Sequence, residues 1–202
     1  MTPATLVQGL RPVRTELANG VVILAQKSET VPAVTINATF FSGSAQDPVD
    51  LPGVAYLTRR VIDRGGANRS AVQIADALDD RGVSLRVSAA RDTFSVACDC
   101  LSEDLEDLLA LISDVVREPL FPQVEVDKRR IEAITSVRQD DDNPAVRSID
   151  ALVAMLYGQA HPYGRPFKGT VASLQSIGRD HLVEFHRRHL QPSTLRLAIV
   201  GD

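Results

Sequence analysis

The sequence predicts an α+β fold: an antiparallel-rich mixed sheet with helices packed on one face. Three observations predict it. Apolar residues alternate with polar or small ones in short runs near residues 14–40, 83–98 and 195–199, the period-two signature of half-buried strands. Helical periodicities fill the intervals in groups, so strand and helix do not alternate regularly as they would in a doubly wound parallel sheet. Turn-forming steps, among them Asn19-Gly20, Gly65-Gly66 and Asn143-Pro144, separate the runs.

Taken in order, Arg14–Leu17 and Val21–Ala25 flank Asn19-Gly20, which predicts a tight hairpin with positive φ at both turn residues. Val34–Phe40 alternates and predicts the next strand, running into Ser42-Gly43-Ser44. Asp50 and Pro52 are N-terminal signals for a helix from about residue 52 to Arg64. Val54, Leu57, Val61 and Ile62 line one stripe of it, and Gly65-Gly66 closes it with positive φ. Ser70-Ala71-Val72-Gln73 fits the capping box of a second helix, which runs through Ile74, Ala75 and Leu78 to Arg81 with Gly82 as its C-cap. Val83–Val87 and Thr93–Cys98 alternate on either side of Ala90-Arg91-Asp92 and read as adjacent antiparallel strands.

Ser102 is placed to cap a helix whose first turn carries Glu103, Asp104, Glu106 and Asp107 at the positive end of the dipole. Leu105, Leu108, Leu109, Ile112 and Val116 form its apolar face. Pro119 and Pro122 precede a long helix from Val124 to about Asp141, with Ile131, Ile134 and Val137 spaced for one face. The run Asp140-Asp141-Asp142 before Asn143-Pro144 reads as a solvated helix end, since the glycine-containing spacing of a calcium loop is missing. Val146, Ile149, Leu152, Val153 and Leu156 mark another helix. A loop through His161-Pro162-Tyr163-Gly164-Arg165-Pro166 leads to a short helix after Thr170 and one from about Asp180 to His189, and Leu195–Ile199 is the last strand.

A chain of 202 residues fits one domain, and a domain of that size buries roughly 70% of its unfolded surface without needing disulfides. Apolar residues make up 44% and charged residues 24%, with a net charge of −4. That balance is ordinary for a globular protein and offers no basic field to a phosphate backbone, so nucleic acid is not an expected partner. No Lys or Arg precedes an apolar run at the N-terminus, and no window approaches about 18 apolar residues. The expectation is a soluble, cytoplasmic protein with no membrane partner. Cys98 and Cys100, the only cysteines, share one face of a predicted strand at i, i+2. They are too close for an unstrained bridge, and no further thiolate exists to complete a metal site, so buried thiols are expected.

Leu17-Ala18-Asn19-Gly20-Val21, Ser42-Gly43-Ser44 with Gly53-Val54-Ala55, and Gly82-Val83-Ser84 with Ala90-Arg91-Asp92-Thr93 form the first part of an ordered series. Arg138 through Asn143-Pro144, His161–Pro166 with Gly169-Thr170, and Val200-Gly201-Asp202 continue it. In order and spacing the series resembles the N-terminal half-domain of the pitrilysin/insulinase family of zinc peptidases, which includes the mitochondrial processing peptidase. The resemblance implies the α+β half-domain of that family, with residues 1–12 as an N-terminal extension and 13–202 as a single domain, the N-terminal half of a two-domain subunit.

Active members carry H-x-x-E-H, in which two histidines one turn apart bind zinc and the glutamate activates water, and a later glutamate completes the ligand set. Laid over this chain, the first histidine falls on Tyr56, the glutamate on Arg59 and the second histidine on Arg60. The distal glutamate falls on Ser136, or on Thr135 with the register one residue off. None of these side chains does the family's work at neutral pH: Tyr and Ser are protonated, and Arg is a permanent cation that repels zinc and cannot act as a base. The resemblance therefore implies a catalytically inactive domain without the family's zinc, acting as a structural or substrate-positioning partner. The implied partners are a second copy of the chain or a zinc-bearing family member, with a peptide as the candidate substrate.

Two alternatives stand beside that reading. One is a metal-dependent peptidase with a displaced site: His186 and His189 lie at i, i+3 on a helix that also carries His181 and Glu184, although Arg187-Arg188 between them disfavours a cation and a surface pair is expected. The other is a peptide-binding module that extends its sheet at an exposed edge. Arg59 and Arg60 can bind carboxylates, against the plainer expectation that they are solvated or pair locally, with Asp63 for instance. Tyr56 is expected to plug the old metal position, and His161 to hydrogen-bond within its loop. Gly65-Gly66 lacks the further glycine and the Lys-Ser/Thr of a phosphate loop.

Overall fold

The computed structural model describes residues 11–202. The expected extension, residues 1–12, therefore lies almost wholly outside the described residues, and the first strand begins at Val13. In chain order the elements are β1 (Val13–Glu16), β2 (Val22–Lys27), β3 (Ala33–Phe40), α1 (Val54–Val61), α2 (Ala71–Asp79), β4 (Arg86–Ala89) and β5 (Phe94–Leu101). They continue with α3 (Leu105–Arg117), α4 (Gln123–Asp141), α5 (Pro144–Tyr157), α6 (Val171–Ser176), α7 (Arg179–His189) and β6 (Leu195–Gly201).

The strands form one sheet in the order β1-β2-β6-β3-β5-β4. Only β2 and β6 run parallel, and every other neighbouring pair is antiparallel. The last strand inserts between β2 and β3, with Ile36 of β3 opposite Ile199 on one side and Cys98 on the other. The sheet is thus completed only when the C-terminal strand returns to its middle.

Alternation decides the two faces. Val34, Ile36 and Phe40 of β3, with Phe94, Val96, Cys98 and Cys100 of β5, are buried in one core with the helices, and Ala38 is buried on the same face of β3. The opposite face is polar: Thr35 Oγ1 donates to Asp99 at 2.7 Å, Arg86 Nη2 to the same carboxylate at 2.8 Å, and Thr39 and Ser95 share a hydrogen bond of 2.9 Å. Helices therefore cover one face, as the sequence predicts. Both cysteines are free and buried, and burial pushes the Cys98 thiol up to about 11.

Several local expectations are corrected. In the first hairpin only Gly20 has positive φ, at +88°. Gly20 N donates to Leu17 O and Leu17 N to Val21 O, both at 2.9 Å, a turn that leaves Asn19 in ordinary backbone with its side chain accepting from Val21 N. Likewise, of Gly65 and Gly66 only Gly65 has positive φ. The Ser70–Gln73 capping box forms in both directions. Beyond it Val83 N closes the end of α2 on Leu78 O at 2.9 Å, so β4 begins at Arg86 instead of Val83. Ser102 caps nothing: its hydroxyl is buried without a partner, and a 3-10 turn, Ser102–Asp104, feeds α3.

Helix faces are rotated from their expected stripes. α3 buries Leu108, Leu111, Ile112, Val115 and Val116, while Leu105 and Leu109 are only partly covered. α4 buries Val126, Ala133 and Val137, and Ile131 is 65% exposed. α5 buries no residue at all. Among the described residues, no helix is long and apolar enough to cross a membrane.

Candidate functional site

The site is built around the start of α1. Asp47, from the preceding loop, accepts hydrogen bonds from Gly53 N at 2.7 Å and Ala55 N at 2.8 Å, so it satisfies the free amides of the helix from a distance. The expected signal, Asp50, is exposed, and the buried Asp47 is the cap. Burial pushes the Asp47 carboxyl up to about 6, against the opposing pull of its backbone donors and of Arg165. Arg165 in turn donates to the Asp47 carbonyl at 2.8 Å.

The loop after His161 is strapped across the same helix start. Gly53 has φ +104°, and a Cβ there would lie 2.7 Å from Lys168 O. Ser173 Oγ donates to Pro52 O at 2.7 Å. Within the loop His161 Nδ1 accepts from Tyr163 N at 3.1 Å, the expected local role. This strap carries Phe167 and Lys168 against the helices.

On α1, Tyr56 is 2% exposed and packs edge-on against Phe167 with ring centroids 5.8 Å apart. The Arg59 and Arg60 guanidinium carbons lie 4.6 and 5.6 Å from its ring centroid, within the range of cation–π attraction. Arg60 Nη1 approaches the Tyr56 hydroxyl at 3.4 Å, and its Nη2 donates to Glu132 of α4 at 2.9 Å. Glu132 also accepts from Arg129, and hydrogen bonds from Arg129 and then Arg60 hold its carboxyl below the usual glutamate range. The expected Arg59–Asp63 pairing is corrected: Asp63 pairs with Arg64 at 3.2 Å, and Arg59 stacks on Tyr56.

Ser136 lies one turn beyond Glu132 on α4. Its hydroxyl accepts from Lys168 Nζ at 3.0 Å, and Lys168 also pairs with Asp140 at 2.6 Å. Thr135 is exposed and donates back to Ile131 O. The structure thus gathers Tyr56, Arg59 and Arg60 into one cluster, joins it to α4 through Glu132, and leaves Ser136 tied to Lys168 beside Phe167.

Zinc sites are made from deprotonated nitrogen, oxygen or sulfur donors. The positions at which the sequence comparison expects the metal ligands offer a phenol, two guanidinium groups and a hydroxyl, and an ammonium group hydrogen-bonds that hydroxyl. These groups donate hydrogen bonds and carry positive charge, so they do not fit zinc, and no chemistry through a metal follows from them. The buried tyrosine and its two arginines instead form a packed, cationic helix face.

The α7 histidines are neither a metal site nor a surface pair. His186 Nε2 is 2.7 Å from Val116 O and its ring meets Phe121 edge-on, while His189 packs on Phe185. Burial lowers the proton affinity of both. His181 Nδ1 accepts from Gly178 N, and Glu184 is taken by Arg187 and Arg188. Among the described residues, no group of three or more His, Cys, Asp or Glu side chains is placed to hold a metal ion.

Sequence reading alone missed Asp47, Glu132, Phe167 and Lys168. Glu132 carried a usable signal, since it sits one helical turn before Ser136 and so shares its face. The other three contact the site only through the fold.

Residues 22–170 match the family model described as Insulinase (Peptidase family M16). An uncharacterized zinc protease of Mycobacterium tuberculosis is 27% identical over 201 residues, covering 100% of this chain and 46% of the relative. One from Streptomyces coelicolor is 24% identical, covering 98% of this chain and 44% of the relative. The chain thus spans about half the length of the curated relatives it matches. Among solved structures, the peptidase M16 inactive domain from Pseudomonas fluorescens superposes with TM-score 0.90 at 27% identity, covering 96% of this chain and 47% of that one. A protease from Helicobacter pylori, at 17% identity and TM-score 0.84, shares the fold.

Proposed function

Because the chain belongs to the insulinase family of peptidases, family M16, we propose that it is a catalytically silent member that works as a structural or substrate-positioning partner of an active zinc peptidase subunit. The observation that supports this reading is the Tyr56–Arg59–Arg60 cluster with Glu132, which sets cations and a buried phenol ring at the positions where the zinc motif is expected. A guanidinium in place of the motif glutamate cannot take a proton from water.

Support for partnership comes from α5. Ile149, Leu152, Met155 and Leu156 are exposed, Met155 at 85%. Large exposed apolar surface on one helix marks a surface that is covered in an assembly. Solved relatives of about twice this length share the fold over the matched half, which supports a sister half-domain or a second chain as the covering element.

Co-expression with a family member that carries an intact H-x-x-E-H tests the proposal. The expected result is a stable complex in which peptide cleavage is lost with the partner's motif. A strict monomer at high concentration, with no complex formed, contradicts it.

A second reading, a module that captures peptides at its sheet edge, is favoured by β4: among the described residues it ends the sheet and pairs only with β5. The two readings are compatible, since a positioning partner needs a place to hold its substrate.

A further inference from the structure

A groove of about 790 Å³ opens at one end of the sheet, where the turn of the first hairpin, the end of β3 and the start of β6 meet the C-terminal ends of α3 and α7. It shares no lining residue with the Tyr56–Arg59–Arg60 cluster or with the strap. Its walls are apolar: Val21, Phe40, Val116, Val183, Leu190 and Leu195. Four of them, Val21, Phe40, Val116 and Leu190, are buried residues, so these walls are set by folding. His186 also lines the groove, fixed by Nε2 on Val116 O at 2.7 Å and by the Phe121 ring edge. Small-ligand sites of this size are mostly apolar, with a few polar groups that fix orientation.

Charge at the groove has one sign. Arg117 of α3 and Arg187 of α7 line it and no Asp or Glu does, in a chain whose acidic residues outnumber Lys and Arg by 26 to 22. Both arginines stand in the last turns of their helices, where a cation complements the free carbonyls. That position accounts for a cation at each helix end, but not for an apolar groove without a carboxylate.

The two arginines differ in what already holds them. Arg187 is tied to Glu184 at 2.7 Å. Arg117 is exposed and, among the described residues, forms no ion pair. Asp114 and Glu118 line a neighbouring polar groove with it, but Asp114 is taken by Asn68 and Arg69. The charge available to an occupant is therefore that of Arg117.

An occupant that satisfies this groove brings an apolar body and one negative charge. Phosphate leaves the walls unused, an alcohol leaves Arg117 unpaired, and an amine meets it with like charge. The geometry points to a site for a small aliphatic monocarboxylate, its chain laid against Phe40, Val183 and Leu195 and its carboxylate paired with Arg117. The site lies outside the proposed partnership and does not depend on it.

Isothermal titration calorimetry on the 202-residue chain tests the site with octanoate, hexanoate, octanol and octylamine. Octanoate is expected to bind saturably at a single site, at least about tenfold more tightly than octanol, the scale of one charge-assisted contact. It is expected to bind about tenfold more tightly than hexanoate, the scale of two buried methylenes. Octylamine is expected to bind more weakly than octanol. Arg117→Gln is expected to bring octanoate to the level of octanol while leaving octanol unchanged, and Arg117→Lys to keep part of the preference. The exposed position lets the variants fold, which circular dichroism checks, and the comparison of ligands on the parent chain needs no variant.

Equal affinity for octanoate and octanol, a preference that survives Arg117→Gln, or uptake of octanoate without saturation overturns the site. Binding of N-acetyl-trileucine that depends on Arg117, with no octanoate bound, overturns the aliphatic acid as occupant in favour of a peptide C-terminus.

Discussion

α1 and α5 are both rich in apolar residues and their surroundings are opposite. α1 buries Val54, Ala55, Tyr56, Leu57, Thr58 and Val61, and is capped by Asp47, crossed by the Phe167 strap and tied to α4. α5 carries Val146, Ile149, Leu152, Val153, Met155 and Leu156 and buries none of them. Its N-terminus is well formed, with Asn143 accepting from Ala145 N and Val146 N. The helix is therefore locally specified but uncovered. α1 is a packing element, and the large exposed apolar surface lies on α5.

Substitutions that separate packing from exposure test this contrast most strongly. Tyr56→Ala empties the space between Arg59, Arg60 and Phe167 and is expected to cost about 3–5 kcal/mol, read as a lowered midpoint in urea. Met155→Ala, at the opposite extreme of exposure, is expected to leave the midpoint within about 0.5 kcal/mol of the parent. Similar losses at the two sites would break the comparison.

The helix start should respond next. Asp47→Ala removes the acceptor for two buried amides and is expected to cost about 2–3 kcal/mol, with Asp47→Asn losing less because one acceptor oxygen remains. Asp47 also contributes a pH slope. Its folded carboxyl titrates near 6, above the ordinary 3.8, so folding takes up a proton between those values, and the contribution present at lower pH is lost as pH rises through about 6. Denaturation at a series of pH values should show this slope in the parent and a flatter one in Asp47→Asn.

His186 has the opposite sign in a neighbouring window. Its folded proton affinity is lowered by burial, so the unfolded chain binds the proton more readily, and the stability its burial confers is expected to fall as pH drops below the ordinary histidine range. His186→Gln should flatten that acid-side loss. A loss unchanged in the variant would assign it to other groups.

The smallest effect on stability belongs to α5. Leu152→Glu is expected to change the urea midpoint by no more than about 0.5 kcal/mol, yet to prevent association in co-expression. Association that survives the change would move the partner surface off α5 and dissolve its contrast with α1.

Much of the fold was legible because its signals are local. The alternation of Val34–Phe40, the Ser70–Gln73 box and the Asn143-Pro144 step each specify structure within a few residues, and each is found. What failed depended on neighbours distant in sequence. Ile131 has the spacing of a buried face, but α4 is rotated so that Ala133 packs inward. Asp50 is the nearer acidic residue to α1, but the loop brings Asp47 to its amides. At the site, the spacing of Tyr56, Arg59 and Arg60 along one helix was readable, whereas Glu132, Phe167 and Lys168 are brought to it by α4 and the strap. Nothing in the sequence of α5 distinguishes an apolar face that is covered from one that is not.

The central claim is that the inherited metal position no longer suits a metal, and zinc stoichiometry measures it most directly. The purified chain is loaded with excess zinc, desalted, and analysed for bound metal alongside a peptide-cleavage assay with and without chelator. The account predicts no zinc retained in proportion to protein and no chelator-sensitive cleavage. One zinc per chain, lost together with cleavage when Tyr56 or Ser136 is changed to Ala, would contradict it.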